Sequence, residues 1–161
     1  MSKNTIGIAG LGWLGLPLAN YLDMAGYKVK GSVTSLKKAK TLQQNGIDAY
    51  AMQLNETEVS GSPKALLKGV DCLVIAIPPG LRRNSGVNHV LKMSHFLSEV
   101  ISAKIKKVVL VSSTSVYGDA QGEVTDKDAP HGQTATAMQL IAVEQLFCNA
   151  PELETTIVRF G

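Results

Sequence analysis

The sequence predicts an α/β protein: a doubly wound, mostly parallel sheet with helices on both faces. Three observations carry this expectation. Short apolar, β-branched runs alternate along the chain with stretches of helical periodicity, as stacked βαβ units require. Those runs are mostly unbroken by polar residues, as strands covered on both faces are. A glycine cluster also separates the first apolar run from the first helical stretch, close to the N-terminus.

Taken in order, Thr5–Ala9 is the first strand. Leu14, Leu18, Leu22 and Ala25 then form one face of a helix that Gly26 can stop. The second strand is Lys28–Val33 and the second helix covers 36–45. A third strand over 49–52 leads to a short helix over 63–68, and a fourth strand over 72–77 follows. Val87, Val90, Leu91, Ser94, Leu97 and Ile101 recur at near-helical spacing and mark the fourth helix. A fifth strand over 107–112 gives way at 118–133 to a polar stretch holding Gly122, Pro130 and Gly132, read as a surface loop beside the strand ends. A fifth helix over 135–147 should turn Met138, Ile141, Ala142 and Leu146 inward, and a sixth strand covers 155–159. There is no internal repeat and no linker, so residues 1–161 are expected to form one domain.

The composition bounds the function. The chain has 161 residues, 45% hydrophobic, 18% charged and 5% aromatic, enough to bury a core. A net charge of +3 comes from lysines spread along the chain, which is too diffuse for a nucleic-acid partner. Cys72 and Cys148 fall inside a predicted strand and a predicted helix without metal-ligand spacing. They are read as small buried apolar residues, with no disulfide framework and no metal site. No signal-peptide pattern and no run of 18 apolar residues is present, so a cytoplasmic protein without a membrane partner is expected. The composition is compatible with a homo-oligomer.

The motif "GLGWLG", Gly10, Leu11, Gly12, Trp13, Leu14 and Gly15, is a G-x-G-x-x-G set placed between a strand and an amphipathic helix. In that setting each glycine has a physical task. Gly10 permits the tight turn, Gly12 lets backbone approach a pyrophosphate, and Gly15 lets the helix lie close to the sheet. Free N–H groups at the helix start then hold the phosphate. Trp13, at a variable position, is assigned no chemistry. After the second strand the sequence reads "GSVTSLKKAK". An acid there would hold a ribose 2′-hydroxyl, whereas hydroxyls and cations suit a 2′-phosphate. No acid lies between Asp23 and Asp48, while Thr34, Ser35, Lys37 and Lys38 stand where the ribose belongs, which favours NADP over NAD. Ala76, Ile77 and Pro78 after the fourth strand and Ser112 at the end of the fifth complete the cofactor-binding candidates.

Two family resemblances follow from these residues. "GLGWLGLPLANYLDMAGYKV" resembles the opening of the β-hydroxyacid and 6-phosphogluconate dehydrogenases. "VVLVSSTSVYGD", a loop, a helix bearing Glu144 and the closing "TTIVRFG" resemble the extended short-chain dehydrogenase/reductase family, with its nucleotide-sugar epimerases and dehydratases. The second resemblance covers nearly the whole chain and implies a Rossmann domain. It also implies a serine at Ser113 that bonds the reacting oxygen, and a Tyr-x-x-x-Lys pair on the next helix that supplies the proton. Here the pattern departs. With Glu144 aligned on the family's glutamate, Thr136 replaces the tyrosine and Leu140 the lysine. The chain has no tyrosine after Tyr117 and no lysine after Lys127. The resemblance is therefore to the atypical members, which keep the dinucleotide fold without the catalytic pair.

Ser113 either orients a substrate oxygen or caps backbone groups at the strand end. His131, in the loop before the altered helix, is the candidate stand-in for acid–base work near neutral pH. Extended family members continue past the sixth strand into a smaller substrate-binding region. Either this sequence is a piece of a longer protein or something else completes the pocket. The reading is an NAD(P)-binding, epimerase/dehydratase-like oxidoreductase domain acting on a carbonyl or alcohol, a nucleotide sugar being one candidate class. The alternatives are a non-catalytic regulator or scaffold that senses NADP, and the nucleotide-binding domain of a hydroxyacid dehydrogenase.

Overall fold

The computed structural model describes residues 4–81, 83–119 and 122–161. Seven strands, β1 (Thr5–Ala9), β2 (Lys28–Val33), β3 (Asp48–Leu54), β4 (Val59–Gly61), β5 (Cys72–Ile75), β6 (Lys107–Ser113) and β7 (Glu154–Phe160), form one sheet in the order β4-β3-β2-β1-β5-β6-β7. Every pairing is parallel except β3 with β4. The chain therefore winds outward from β1 through β2 and β3, returns to the other side of β1 at β5, and winds outward again. That reversal leaves a crevice at the carboxyl ends of β1 and β5, where open α/β sheets bind their ligands.

The helices are α1 (Gly15–Met24), α2 (Leu36–Gln44), α3 (Pro63–Leu67), α4 (His89–Ser102) and α5 (Ala135–Cys148), with a 3₁₀ turn over Thr114–Tyr117. Alternation along the central strands sends side chains into two cores. Leu73 and Ile75 pack with Met93, Phe96 and Phe147 in one. Val74 packs with Ile8, Ala19 and Leu42 in the other. The doubly wound fold predicted from the sequence is thus the observed one.

Several local expectations are corrected. β4 was not anticipated, because three residues paired antiparallel after a tight Asn55–Glu58 turn leave no alternating pattern to read. β7 is a sheet edge rather than a strand covered on both faces: Glu154, Thr156, Val158 and Phe160 are exposed on one side. The inward face of α4 is formed by His89, Met93, Phe96, Leu97 and Val100, while Leu91 is exposed. On α5 the inward residues are Ala137, Leu140, Val143, Glu144 and Phe147, and Met138 points to solvent. In α1 the deeply buried residues are the small ones, Gly15 and Ala19, which bring the helix close to the sheet, and Ala25 is exposed. Cys72 is half-buried and Cys148 exposed, and both are free thiols. Burial raises each thiol above the usual range.

Candidate functional site

The glycine turn is built by close approach. Gly10 has φ +103°, and a Cβ there would lie 2.6 Å from the Ala76 carbonyl oxygen. A Cβ on Gly15 would collide with the carbonyl of Gly10, so α1 begins hard against the turn. Gly12 differs: a Cβ there meets nothing within 4 Å, so the space above it is open. The turn is also tied to β2. The Gly10 N–H donates to Ser32 Oγ at 3.0 Å and the Leu11 N–H to the Ser32 carbonyl at 2.7 Å. Leu11 is fully buried beneath. Helix α1 has no side-chain N-cap, its Ncap residue being Leu14, so its first N–H groups are left for a ligand.

A cleft of about 670 Å³ opens over this turn. Its floor and walls come from the glycine turn, the end of β2, the end of β3 over 52–55, the loop after β5 over 76–80, and the start of α4. Of the sequence candidates, Gly10, Leu11, Gly12, Thr34, Ala76, Ile77 and Pro78 line it. Trp13 stands outside, 85% exposed, and Leu14 and Gly15 belong to the helix start. Ser35 Oγ caps α2 by accepting from the Lys38 N–H at 3.1 Å, and Lys37 points to solvent. Of Lys37 and Lys38, it is Lys38 that lines the cleft.

Sequence reasoning missed Gln53, Asn55, Arg83, Asn84, His89 and Lys92, all of which line the cleft. Two of them carried a readable signal. Residues 53–55 close and follow β3, which lies beside β2 in the sheet, and so end near the turn after β2. Lys38, Arg83 and Lys92 place three cations around the cleft, and no Asp or Glu is among its described lining residues. His89 is 3% exposed, and burial with Lys92 nearby lowers its pKa to about 4.

The serine end lies elsewhere, beyond β5 on β6. Ser112 is buried and its hydroxyl has no partner among the described residues. Ser113 Oγ accepts from the Ser115 N–H at 3.1 Å, capping the 3₁₀ turn. Neither serine lines the cleft over the glycine turn, and neither does His131. His131 is exposed, with Nδ1 3.2 Å from the Ala129 carbonyl, and its backbone N–H donates to the Val116 carbonyl at 2.9 Å. Nearby, hydrogen bonds from Thr125 hold the Asp128 carboxyl below its usual range.

One polar cluster fixes this region. Arg159 on β7 donates from Nε and Nη2 to the two carboxylate oxygens of Glu144 on α5, at 3.0 and 2.7 Å, and from Nη1 to Tyr117 Oη at 2.5 Å. Hydrogen bonding to Glu144 holds the Arg159 pKa above its usual range. One turn before Glu144, Leu140 packs in an apolar cluster with Val116 and Tyr117, while Thr136 is half-buried. Among the described residues no group of three His, Cys, Asp or Glu side chains is placed to hold a metal, and no helix is long and apolar enough to cross a membrane.

Known proteins share this architecture. A short-chain dehydrogenase/reductase superfamily protein from Agrobacterium tumefaciens, solved with bound NAD, superposes with a TM-score of 0.72 at 18% identity over 98% of this chain and 49% of its own. UDP-N-acetylglucosamine 4-epimerase from Bacillus cereus gives 0.77 at 16% identity over 98% and 53%. At such identities the likeness is one of fold. In sequence, Protein YeeZ of Escherichia coli K12 is 32% identical over 160 residues, 97% of this chain. The chain spans 57% of that relative's length. The family model for the NAD binding domain of 6-phosphogluconate dehydrogenase matches residues 5–134. That match runs from the first residue of β1 to Thr134, the cap of α5, and so takes in the whole cleft. The chain is an NAD-binding Rossmann domain, and it belongs to the family of the NAD binding domain of 6-phosphogluconate dehydrogenase.

Proposed function

We propose that this domain binds NADP in preference to NAD and serves an oxidoreductase of the epimerase/dehydratase-like kind, acting on a carbonyl or alcohol. The observation that carries the cofactor preference is the cleft itself: Lys38, Arg83 and Lys92 line it without a single described carboxylate, and Thr34 stands at the end of β2. A 2′-phosphate is matched by such a wall. A ribose 2′-hydroxyl would want the acid that is missing. The open space over Gly12 and the uncapped start of α1 are where the pyrophosphate fits. When bound, the nicotinamide supplies or accepts a hydride. Ser113, at the end of β6, is the residue proposed to orient the reacting oxygen, and His131 remains the proposed acid–base group. The substrate class, a nucleotide sugar among the candidates, rests on the resemblance of residues 111–119 to the epimerases and dehydratases. One domain and a cytoplasmic setting belong to the same reading.

A second reading is favoured by two observations. Leu140 fills the position of the family's lysine with an apolar, packed side chain, and Ser113 Oγ is already engaged by backbone. A cofactor-sensing regulator without chemistry fits both facts. The hydroxyacid dehydrogenase reading is compatible with the family match and requires a separate helical domain carrying a catalytic lysine. Titrating the chain with NADPH and NADH by fluorescence tests the cofactor preference. NADH binding as tightly as NADPH removes it. Turnover of NADPH with a panel of carbonyl compounds then separates oxidoreductase from regulator.

A further inference from the structure

The start of α4 holds a group that the fold alone does not explain. His89 opens the inward stripe that Met93, Phe96, Leu97 and Val100 continue into the core, so its ring is directed toward the carboxyl ends of the strands. It is 3% exposed, yet it lines the cleft, and among the described residues no hydrogen bond reaches its ring. The ring nitrogens are not fully buried, so they keep access to the cleft, where a ligand or water can complete them. Its backbone, by contrast, is fastened. The His89 N–H donates to Gln139 Oε1 at 2.6 Å, and Gln139 Nε2 donates to the Val87 carbonyl at 3.0 Å. The Asn88 N–H donates to Glu56 Oε1 at 2.7 Å, and Asn88 Oδ1 accepts from the Leu91 N–H at 2.9 Å. The first turn of α4 is thus held from α5 and from the β3–β4 turn, which fixes where the imidazole points.

The position within the cleft identifies what it meets. With the pyrophosphate over Gly12 and the ribose 2′-substituent beside Thr34 and Lys38, the base must lie farther from β1. There the wall is residues 53–55, at and just past the end of β3, on one side and the first turn of α4 on the other. We propose that His89 is the base-reading residue of this cleft, its ring hydrogen-bonding the edge of the adenine. The neutral imidazole has one donor and one acceptor, and the adenine edge offers an amino donor beside ring-nitrogen acceptors, so the two are complementary. Burial and Lys92 keep the ring neutral at physiological pH. The proposal rests on the cofactor reading above and adds the residue that selects the base.

The test uses the full chain and two probes, adenosine 2′,5′-bisphosphate and inorganic pyrophosphate, titrated calorimetrically into the wild type, His89→Leu and His89→Gln. The bisphosphate should bind His89→Leu about three- to tenfold more weakly, the loss expected for one neutral hydrogen bond, and His89→Gln should recover part of that loss because an amide also donates and accepts. Pyrophosphate, which has no base, should bind all three equally. Unchanged bisphosphate affinity in His89→Leu overturns the proposal, and so does an equal loss for pyrophosphate. Failure of the cofactor reading looks different: the wild type itself then binds neither NADPH nor NADH, before any change at His89. Thermal melts of both variants identify one that has lost its fold, and the other then decides.

Discussion

Arg159 and Glu144 meet through two parallel hydrogen bonds of 3.0 and 2.7 Å, and this pair joins the edge strand β7 to helix α5. The carboxylate is almost wholly buried and the guanidinium mostly so, 7% and 19% exposed in their side chains. Removing one partner strands the other in a poorly solvated place. Glu144→Gln should therefore destabilise the fold by about 2–4 kcal/mol, and Arg159→Leu by a similar amount. Changing both should cost less than the sum of the single changes. Urea unfolding of the two single variants and the double variant measures the coupling; strict additivity would show that the pair contributes no coupling of its own.

Two glycines of the turn, Gly15 and Gly12, should behave differently. Gly15→Ala drives a Cβ into the Gly10 carbonyl and should lower the melting temperature, since such overpacking costs about 1–3 kcal/mol or more. Gly12→Val meets no protein atom close to its new Cβ, so the melting temperature should hold while NADPH binding is lost. A Gly12→Val protein that binds NADPH like the wild type would remove the pyrophosphate from this turn.

Cofactor preference should follow charge at the end of β2 and around the cleft. Thr34→Asp should shift the ratio of NADPH to NADH affinity toward NADH, because a carboxylate repels the phosphate and accepts ribose hydroxyls. Lys38→Ala should weaken NADPH and leave NADH nearly unchanged, whereas Lys37→Ala should do neither, its side chain lying outside the cleft. Parallel fluorescence titrations give the ratios directly.

Thr136 and Leu140, which the resemblance aligns with a catalytic tyrosine and lysine, make a stability prediction as well as a kinetic one. Leu140 is buried against Val116 and Tyr117, so Leu140→Lys places an ammonium in an apolar cluster and should cost about 2–4 kcal/mol. Any reductase activity toward simple carbonyls should require Thr136→Tyr together with Leu140→Lys, since a lone phenol keeps a pKa near about 10. Activity in either single variant would refute the residue alignment.

Acid should weaken the fold through His89. Its folded pKa of about 4 lies below the ordinary 6.5, so the folded state binds fewer protons than the unfolded chain between those values. The group favours folding least at low pH: stability is fully present above about pH 6.5 and declines as the pH falls toward 4. His89→Gln, with nothing to titrate there, should flatten that part of the pH–stability curve. An unaltered slope in the variant would assign the acid sensitivity to other groups.

How far the sequence could be read depends on what each signal measures. The strands and the glycine turn were legible because buried parallel strands are apolar runs and because three glycines at fixed spacing have steric tasks that the structure repeats at Gly10 and Gly15. The helix faces were less legible. His89 and Glu144 lie on buried faces, and a reading that follows only apolar residues rotates α4 and α5 away from them. Met138 and Leu91 are exposed apolar residues that pull the reading the same way. The cleft beyond the glycine turn was hidden because Arg83, His89 and Lys92 reach it from a segment more than 60 residues downstream of the turn, a neighbourhood that only the sheet order creates. Lys38 rather than Lys37 lines the cleft because Ser35 sets the start of α2, and that choice depends on helix phase.

Helix α5 carries three attachments within six residues. Gln139 grips the first turn of α4, Leu140 seats on Val116 and Tyr117, and Glu144 engages Arg159. The helix is a shared fulcrum between the first turn of α4 at the cleft and the serine-bearing turn after β6. A half-turn slip would release all three attachments together, so a substitution that tilts α5 is felt at both ends. Engineering the two halves of this domain independently therefore has to start from residues outside that helix.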